Sequence, residues 1–382
     1  MHFFTTLLVA TGIIAPTFAG TTSLRAVEKY DGKVTGKFIV KLKDGASKAT
    51  VIQQLKANAI THEWQVLNGF AADLSVDEVN LLRSSPDVEL VSEDGIMHTT
   101  ATITQTNATW GLARLSSSTK LTDQNPSYNS AGGAGVDIYI VDTGVMTTHA
   151  QFGGRARWGA TFGGYPDVDG NGHGTHCAGT AAGSQYGVAK AANIIAVKVL
   201  SDAGSGAVTD IVSGINFILN SARASGRPSV ACIPLGGGAS TALDNAVSSL
   251  VASGVHVAVS AGSSNLDAGT TSPARAPGAI TVGASTIADA RASFSNFGSV
   301  IDVYAPGQNV ISSWIGSPTA TNNLSGTSMA TCYVAGLIAL LISINNNQSP
   351  AAMSTLIQSL SIKGALSGIP SGTSNTLAHT EL

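Results

Sequence analysis

VDIYIVDTG, residues 136–144, is an almost unbroken apolar run that stops at an acid followed by Thr-Gly. A strand that is apolar on both of its faces is covered on both faces. Five more runs of this kind follow: ANIIAVKVL, PSVACIPL, VHVAVSAG, AITVGAS and VIDVYAPG. Helical patterns lie between several of them, AVTDIVSGINFILNSAR and TALDNAVSSLVASG. Buried strands separated by helices predict an α/β fold, a mainly parallel sheet with helices on both faces. Ligands and catalytic groups in such folds gather outside the carboxyl ends of the strands, which is where Asp142 stands.

The chain has 382 residues, ample length for a large core and more than one domain. Its net charge is −3 and only 11% of residues are charged, so no electrostatic footprint for nucleic acid or an anionic membrane is present. Residues 1–19, MHFFTTLLVATGIIAPTFA, read as a secretory signal peptide with small residues at Thr17 and Ala19. No later run is read as a membrane span. Secretion would make Asn107 and Asn323 glycosylation acceptors. The three cysteines, Cys177, Cys232 and Cys332, lie in apolar or glycine-rich segments and are expected to be buried thiols without a disulfide.

Charge is unevenly spread. Residues 20–102 hold 9 of the 20 Lys and Arg and 11 of the 23 Asp and Glu, which marks a boundary near residue 100. The charged block has its own pattern. GKFIVKLK alternates as a strand, SKATVIQQLKANA is helical, HEWQVLNGFAADL supplies one or two strands, and VELVSEDG is a strand. SVDEVNLLRSS is a helix opened by a capping box, Ser75 with Glu78 three residues on. The order β-α-β-β-α-β is a small α+β, ferredoxin-like unit with nothing catalytic in it. The expected organisation is therefore residues 1–19, 20–102 and 103–382.

Three segments place reactive side chains at element ends: Asp142 after the first apolar strand, His173 in DGNGHGTHCAGT, and Ser328 opening the last long helix in SGTSMATCYVAG. An acid, a histidine and a hydroxyl can form the orienter, base and nucleophile of acyl transfer. Each residue taken alone also has an ordinary reading. Asp before Thr-Gly suits a turn, a serine can simply start a helix, and His173 with His176 and Cys177 suggests a metal site that lacks a fourth ligand. DVDGNG at 167–172 mimics the start of a calcium-binding loop, but Ala178 stands where that loop needs Glu.

Taken together, VDTGV (141–145), GNGHGTHCAGT (170–180) and SGTSMAT (325–331) resemble the Asp, His and Ser signatures of the subtilisin-like serine peptidases. The similarity runs through residues 105–345 and is nearest to the fungal proteinase K type, and the block before it resembles the inhibitor-like propeptide of those enzymes. The resemblance implies that Asp142 orients, His173 is the general base and Ser328 the nucleophile. It also implies a propeptide that acts as an intramolecular inhibitor until cleaved near Thr102–Ile103. The segments 204–207 and 235–238 would flank a polypeptide substrate, with Gly204, Ser205, Gly206, Leu235, Gly236 and Gly237 pairing main chain to main chain. Small, uncharged walls at 234–237 and 260–262 suit an apolar or aromatic P1 residue. A structural calcium would take the carbonyls of Pro277 and Ala279 and the carboxylate of Asp302, and Ser272-Pro273 falls where the family has a cis peptide. No cofactor is implied for catalysis, and a monomer is expected.

The chain also departs from the family. Ser263 stands where an asparagine donates to the oxyanion, Cys332-Tyr333 replaces Pro-His after the serine motif, and Cys232 and Pro234 replace small polar residues. Asp137, Ser225 and Ile280 occupy positions of the family's disulfide cysteines. The implied function is a secreted serine endopeptidase of reduced activity. The alternatives are a subtilase-fold pseudoenzyme or peptide-binding protein, or an acyl-enzyme transpeptidase or cyclase.

Overall fold

The chain divides into two units between His98 and Thr99 in the computed structural model, which describes residues 24–29, 34–64, 68–95, 102–105, 108–121, 127–129 and 132–380. The signal-peptide segment 1–19 and the acceptor Asn107 lie outside the described residues.

The first unit is a five-stranded sheet in the spatial order Val27–Glu28, Val88–Gly95, Val34–Leu42, Gly69–Ala72, Ile60–Trp64, with helices Lys48–Ile52 and Val76–Ser84. All pairs are antiparallel except that of the short first strand, which was too brief to show a pattern in sequence. The capping box is present: Glu78 Oε2 accepts from Ser75 N–H at 2.9 Å and from its hydroxyl at 2.6 Å. The same carboxylate explains why the helix expected over 47–59 ends at Ile52. Its Oε1 takes the Lys56 N–H at 2.9 Å, so the chain there turns instead of continuing the helical ladder.

In the second unit the main sheet has nine strands: β1 (Asp137–Asp142), β2 (Ala156–Thr161), β3 (Asn193–Lys198), β4 (Ser229–Ile233), β5 (His256–Ser260), β6 (Ile280–Ser285), β7 (Val303–Pro306), β8 (Ile362–Lys363) and β9 (Thr376–Leu377). Their order is β8-β9-β7-β6-β5-β4-β1-β3-β2, parallel throughout except for the β8 edge. The six apolar runs are β1, β3, β4, β5, β6 and β7. The helices are α1 (Trp110–Ser116), α2 (His173–Ala182), α3 (Val208–Ser225), α4 (Thr241–Ala252), α5 (Thr327–Asn345) and α6 (Pro350–Leu360).

Strand parity decides what each face meets. Ile138 and Ile140 of β1 join a core with Cys177 and Ala181 of α2 and Met329, Val334 and Leu337 of α5. Tyr139 and Val141 point the other way, to Ile211, Ile215 and Ile218 of α3 and Leu243, Val247 and Leu250 of α4. Asp142 has the parity of Ile138 and Ile140, so the pleat turns its side chain to the face shared by α2 and α5. By the same rule Cys232 of β4 faces those two helices while Ala231 and Ile233 face away.

One expectation is corrected. Helix α5 is long and apolar enough to cross a bilayer, although no such run was read from the sequence; 83% of its apolar window is buried in protein. A helix apolar on every side is what a position between a sheet and other helices demands. Tyr333 shows how tightly it is held. Its ring is buried, its hydroxyl lies 3.4 Å from Thr109 Oγ1, and it rests on Gly111 of α1. A Cβ at 111 would stand 2.3 Å from the Tyr333 hydroxyl and 2.5 Å from its ring carbon Cζ. Gly111→Ala should therefore cost about 1–3 kcal/mol of stability in denaturant titration, as overpacking does. Tyr333→Leu in the same chain should recover part of that loss, and an additive double variant would show that the two residues do not collide.

Candidate active site

Asp142 closes β1 and has no exposed side-chain surface. A carboxylate so placed needs donors. It receives the Thr143 N–H on Oδ1 at 2.6 Å, and its two oxygens lie 2.9 and 2.8 Å from His173 Nδ1. His173 is the first residue of α2, and the helix start is pressed against the Asp142 loop. A Cβ at Gly174 would sit 2.0 Å from the Gly144 carbonyl oxygen, so only glycine permits the approach. Burial by itself lowers the His173 pKa, but the Asp142 charge, the neighbouring Cys177 and the hydrogen bonds to both together hold the imidazole well above its ordinary 6.5. With Nδ1–H donated to Asp142, Nε2 carries the free lone pair of a general base.

Two residues that the sequence did not single out hold this corner. Asp169 accepts on Oδ1 from the Thr143 hydroxyl, Asn171 N–H and Gly172 N–H, and on Oδ2 from the N–H and hydroxyl of Thr175. Its oxygens are thus taken up by three backbone N–H groups and two threonine hydroxyls. Lys198, wholly buried at the end of β3, donates to the Thr143 carbonyl at 2.5 Å and to Asp202 Oδ1 at 2.8 Å. A charged pair after an apolar strand was the available signal. His176, by contrast, points away: its Nε2 bonds the Val310 carbonyl at 3.0 Å, and burial pushes its pKa down to about 4.

Ser328 is in the first turn of α5 and is half-buried. Its hydroxyl donates to the Pro234 carbonyl at 2.7 Å, and among the described residues it makes no bond to His173. First-turn N–H groups have no acceptor within their helix. Here Thr327 N–H is taken by Ser263 Oγ at 3.1 Å and Met329 N–H by Gly326 O at 3.2 Å, while Ser328 N–H has no acceptor among the described residues. That N–H is a ready donor to an oxyanion forming on a carbonyl that the Ser328 hydroxyl attacks. Ser263 does lie beside the nucleophile turn, but its hydroxyl is engaged by Thr327, whose Oγ1 is also 3.1 Å away. Asn265, two residues on, sits exposed in a left-handed turn at φ 55°, with its N–H on the Phe294 carbonyl.

His173 and Pro234 open onto a cleft of about 480 Å³ whose sides include Gly204, Ser205 and Gly206 on one wall and Leu235, Gly236 and Gly237 on the other. Leu200, Ile211 and Leu243 make its floor apolar. The second wall is anchored by antiparallel pairing of Gly237 with Ser272, next to a cis Ser272-Pro273 bond, and by the Ser260 hydroxyl on the Leu235 carbonyl at 3.0 Å. Away from the cleft, Asp302 is partly buried and pairs with no basic side chain among the described residues. Its Oδ2 accepts from Thr281 N–H at 2.8 Å, Oδ1 has only the Gln358 amide at 3.4 Å, and burial raises its pKa. The Pro277 carbonyl accepts from the Ser248 hydroxyl at 3.2 Å. Asn323 is exposed on a short strand. All three cysteines are buried free thiols.

Comparison with known proteins places this geometry. Residues 133–376 match the subtilase family and residues 37–100 the peptidase inhibitor I9 family. The alkaline serine protease ver112 of Corniculantispora psalliotae is 44% identical over 375 residues, 97% of this chain and 96% of its own. The cuticle-degrading protease of Metarhizium anisopliae is 41% identical over 351 residues, 91% of this chain and 90% of its own. Among solved structures, that of a cold adapted subtilisin-like serine proteinase matches with a TM-score of 0.68 and 44% identity, over 72% of this chain and 99% of that one.

A base at His173 would have to be neutral to work, and the His173 pKa is held above 6.5. The acid limb of kcat/KM on a peptide ester should therefore have its midpoint above that value, with rate rising as pH rises through it. Asp142→Asn should shift the limb downward and reduce kcat by about 10⁴. A limb at or below the ordinary histidine value would contradict the electrostatic reading of this pair.

Proposed function

Because the chain belongs to the subtilase family and is a serine endopeptidase, we propose that it is secreted, frees itself of its inhibitory propeptide, and cleaves extended polypeptides through an acyl-enzyme on Ser328. The strongest support is the buried Asp142–His173 pair, set on the same sheet face as the helix start that carries Ser328. A substrate strand lies between the 204–206 and 235–237 walls, where glycine backbone can pair with it. Its arrival displaces the resting bond to the Pro234 carbonyl and lets the hydroxyl turn to His173 Nε2. Oγ then attacks the carbonyl carbon while its proton passes to Nε2. The developing oxyanion meets the Ser328 N–H, and Nε2–H is delivered to the leaving amine. Water repeats the sequence to release the acid.

Ser263 sets the rate. Its hydroxyl is shared with Thr327, and loss of one oxyanion donor costs about 10²–10³ in turnover. The same engagement, with the Ser328–Pro234 bond, is what favours a second reading, a peptide-binding protein without turnover. The propeptide bond near Thr102–Ile103 lies in a strand paired with Ser127–Asn129, so this pair opens before cleavage. A structural calcium suits Asp302, whose partly buried carboxylate has no counter-ion among the described residues, together with the carbonyls of Pro277 and Ala279. The ion would supply charge balance and cross-link two loops.

Maturation separates the two readings. Full chain and Ser328→Ala, compared by mass, should differ by loss of the N-terminal unit in the former alone; if neither is processed, the peptidase mechanism at Ser328 is wrong. Ser263→Asn should raise kcat on a peptide ester by about 10-fold or more, and no rise would remove the oxyanion argument. For the ion, Ca²⁺ at about 100-fold over its Kd should stabilise the Ser328→Ala chain by about 2.7 kcal/mol. Thermal melting with and without chelator measures this, and Asp302→Asn should abolish the difference.

A further inference from the structure

Helix α2 begins with N–H groups that have no acceptor within the helix, and the first three are taken by three different side chains. Asn171 Oδ1 accepts from His173 N–H at 3.1 Å, Thr143 Oγ1 from Gly174 N–H at 3.0 Å, and Asp169 Oδ2 from Thr175 N–H at 2.9 Å. Thr143 and Asp169 belong to the corner around Asp142, whereas Asn171 also lines the cleft. Its Nδ2 donates to the Asp202 carbonyl at 2.8 Å. One partner is a fixed donor and the other a fixed acceptor, so a single orientation of the amide satisfies both. Asp202 lies in a turn closed by Ser201 N–H on the Ser205 carbonyl at 2.8 Å and by Gly204 N–H on the Ser201 carbonyl at 2.9 Å. To hold the Asp202 carbonyl is therefore to hold the turn that carries the 204–206 wall. The Asp202 side chain is held separately, by Lys198 and by Gly170 N–H at 3.3 Å. One planar amide thus bonds the backbone of His173 at one end and the substrate wall at the other.

We propose that Asn171 is a positioning residue that makes the placement of His173 depend on how a substrate pairs with the 204–206 wall. The inference deepens the hydrolytic reading above and rests on it. Residues 202–207 are exposed, so before a substrate arrives the turn is held from the protein side only. A strand paired with 204–206 fixes its other side. The amide meets both of its partners at one separation of wall and helix start, so an ordered wall narrows the range of positions open to the His173 backbone. Interaction along the substrate strand then goes into aligning Nε2 with the Ser328 hydroxyl, which raises kcat as well as affinity. The scope is large, because a 1 Å misplacement costs about 10²-fold in rate. Aspartate at this position separates the two bonds. It keeps an acceptor for the His173 N–H but sets an acceptor against the Asp202 carbonyl.

The test compares two methyl esters on the processed chain, at a pH above the acid limb. One carries acetyl-phenylalanine, the other the same residue extended by three alanines, and only the second is long enough to pair along the wall. In wild type the extension should lower KM and also raise kcat by about 10-fold or more. In Asn171→Ala the fall in KM should persist, since the wall keeps its own turn bonds and Lys198, but the gain in kcat should vanish. Asn171→Asp should lose that gain too, while keeping more of the short ester's kcat than Asn171→Ala does. A kcat gain that survives in the variants, with any loss shared equally by both esters, is what a merely structural bond would give, and it overturns the proposal. Should Asn171→Ala fail to fold, Asn171→Asp retains the helix-start bond and carries the same comparison. Wild type that hydrolyses both esters at one kcat refutes the coupling alone. Wild type that hydrolyses neither refutes the peptidase mechanism, and the coupling with it.

Discussion

Asp142 carries a carboxylate into a place with no exposed surface, where an uncompensated ion would cost several kcal/mol. The neighbourhood is arranged around that need. Thr143 N–H and His173 Nδ1 supply donors, and Asp169 ties Thr143 to the start of the helix that carries the histidine. Gly174 lets that helix come close enough for the contact. The same burial that makes Asp142 expensive makes its field strong, and that field, with Cys177 beside it, keeps His173 basic. Stability and chemistry at this corner are one electrostatic arrangement.

Ser328, the proposed nucleophile, is held differently, by a helix start and by resting bonds that substrate would have to replace. Its hydroxyl sits on the Pro234 carbonyl, and its neighbour Thr327 is clamped by Ser263. Pro234 offers a carbonyl but no N–H, so the chain at that point can hold the serine without bonding to the next strand. Behind it lie sulfurs in place of a small polar residue and a proline. Cys332 restores an N–H that proline would lack and adds a thiol directed at the Ser328 carbonyl.

Much of this was legible in residue order. Six apolar runs became six parallel strands, and parity along VDIYIVD placed Asp142 on the face of α2 and α5. The capping box at Ser75 was found because both of its partners are local. What escaped reading depended on distant partners or on weak patterns. Strand β2, ARWGAT, is a partly exposed edge with arginine and glycine in it, so no apolar run announces it. The first helix of the charged block was read too long because Glu78, far along the chain, captures the Lys56 N–H. Ser263 was recognised as a departure, but its commitment to Thr327 is a contact across 64 positions that no local pattern encodes. The apolar length of α5 lies open in residues 327–345; what sequence alone does not say is that the helix is buried within protein.

Lys198 joins two parts of the molecule usually considered separately. One ammonium holds the carbonyl beside Asp142 and also the side chain of Asp202, whose backbone carbonyl bonds the Asn171 amide and which belongs to the same loop as the 204–206 wall. Recognition and proton handling are therefore not independent modules. A change that reshapes this rim to admit a new side chain pulls on the acid loop through a buried, charged tether, so selection for altered preference would be paid partly in rate. Natural variation in preference would be expected to concentrate on the opposite wall, which no such tether binds to the acid among the described residues.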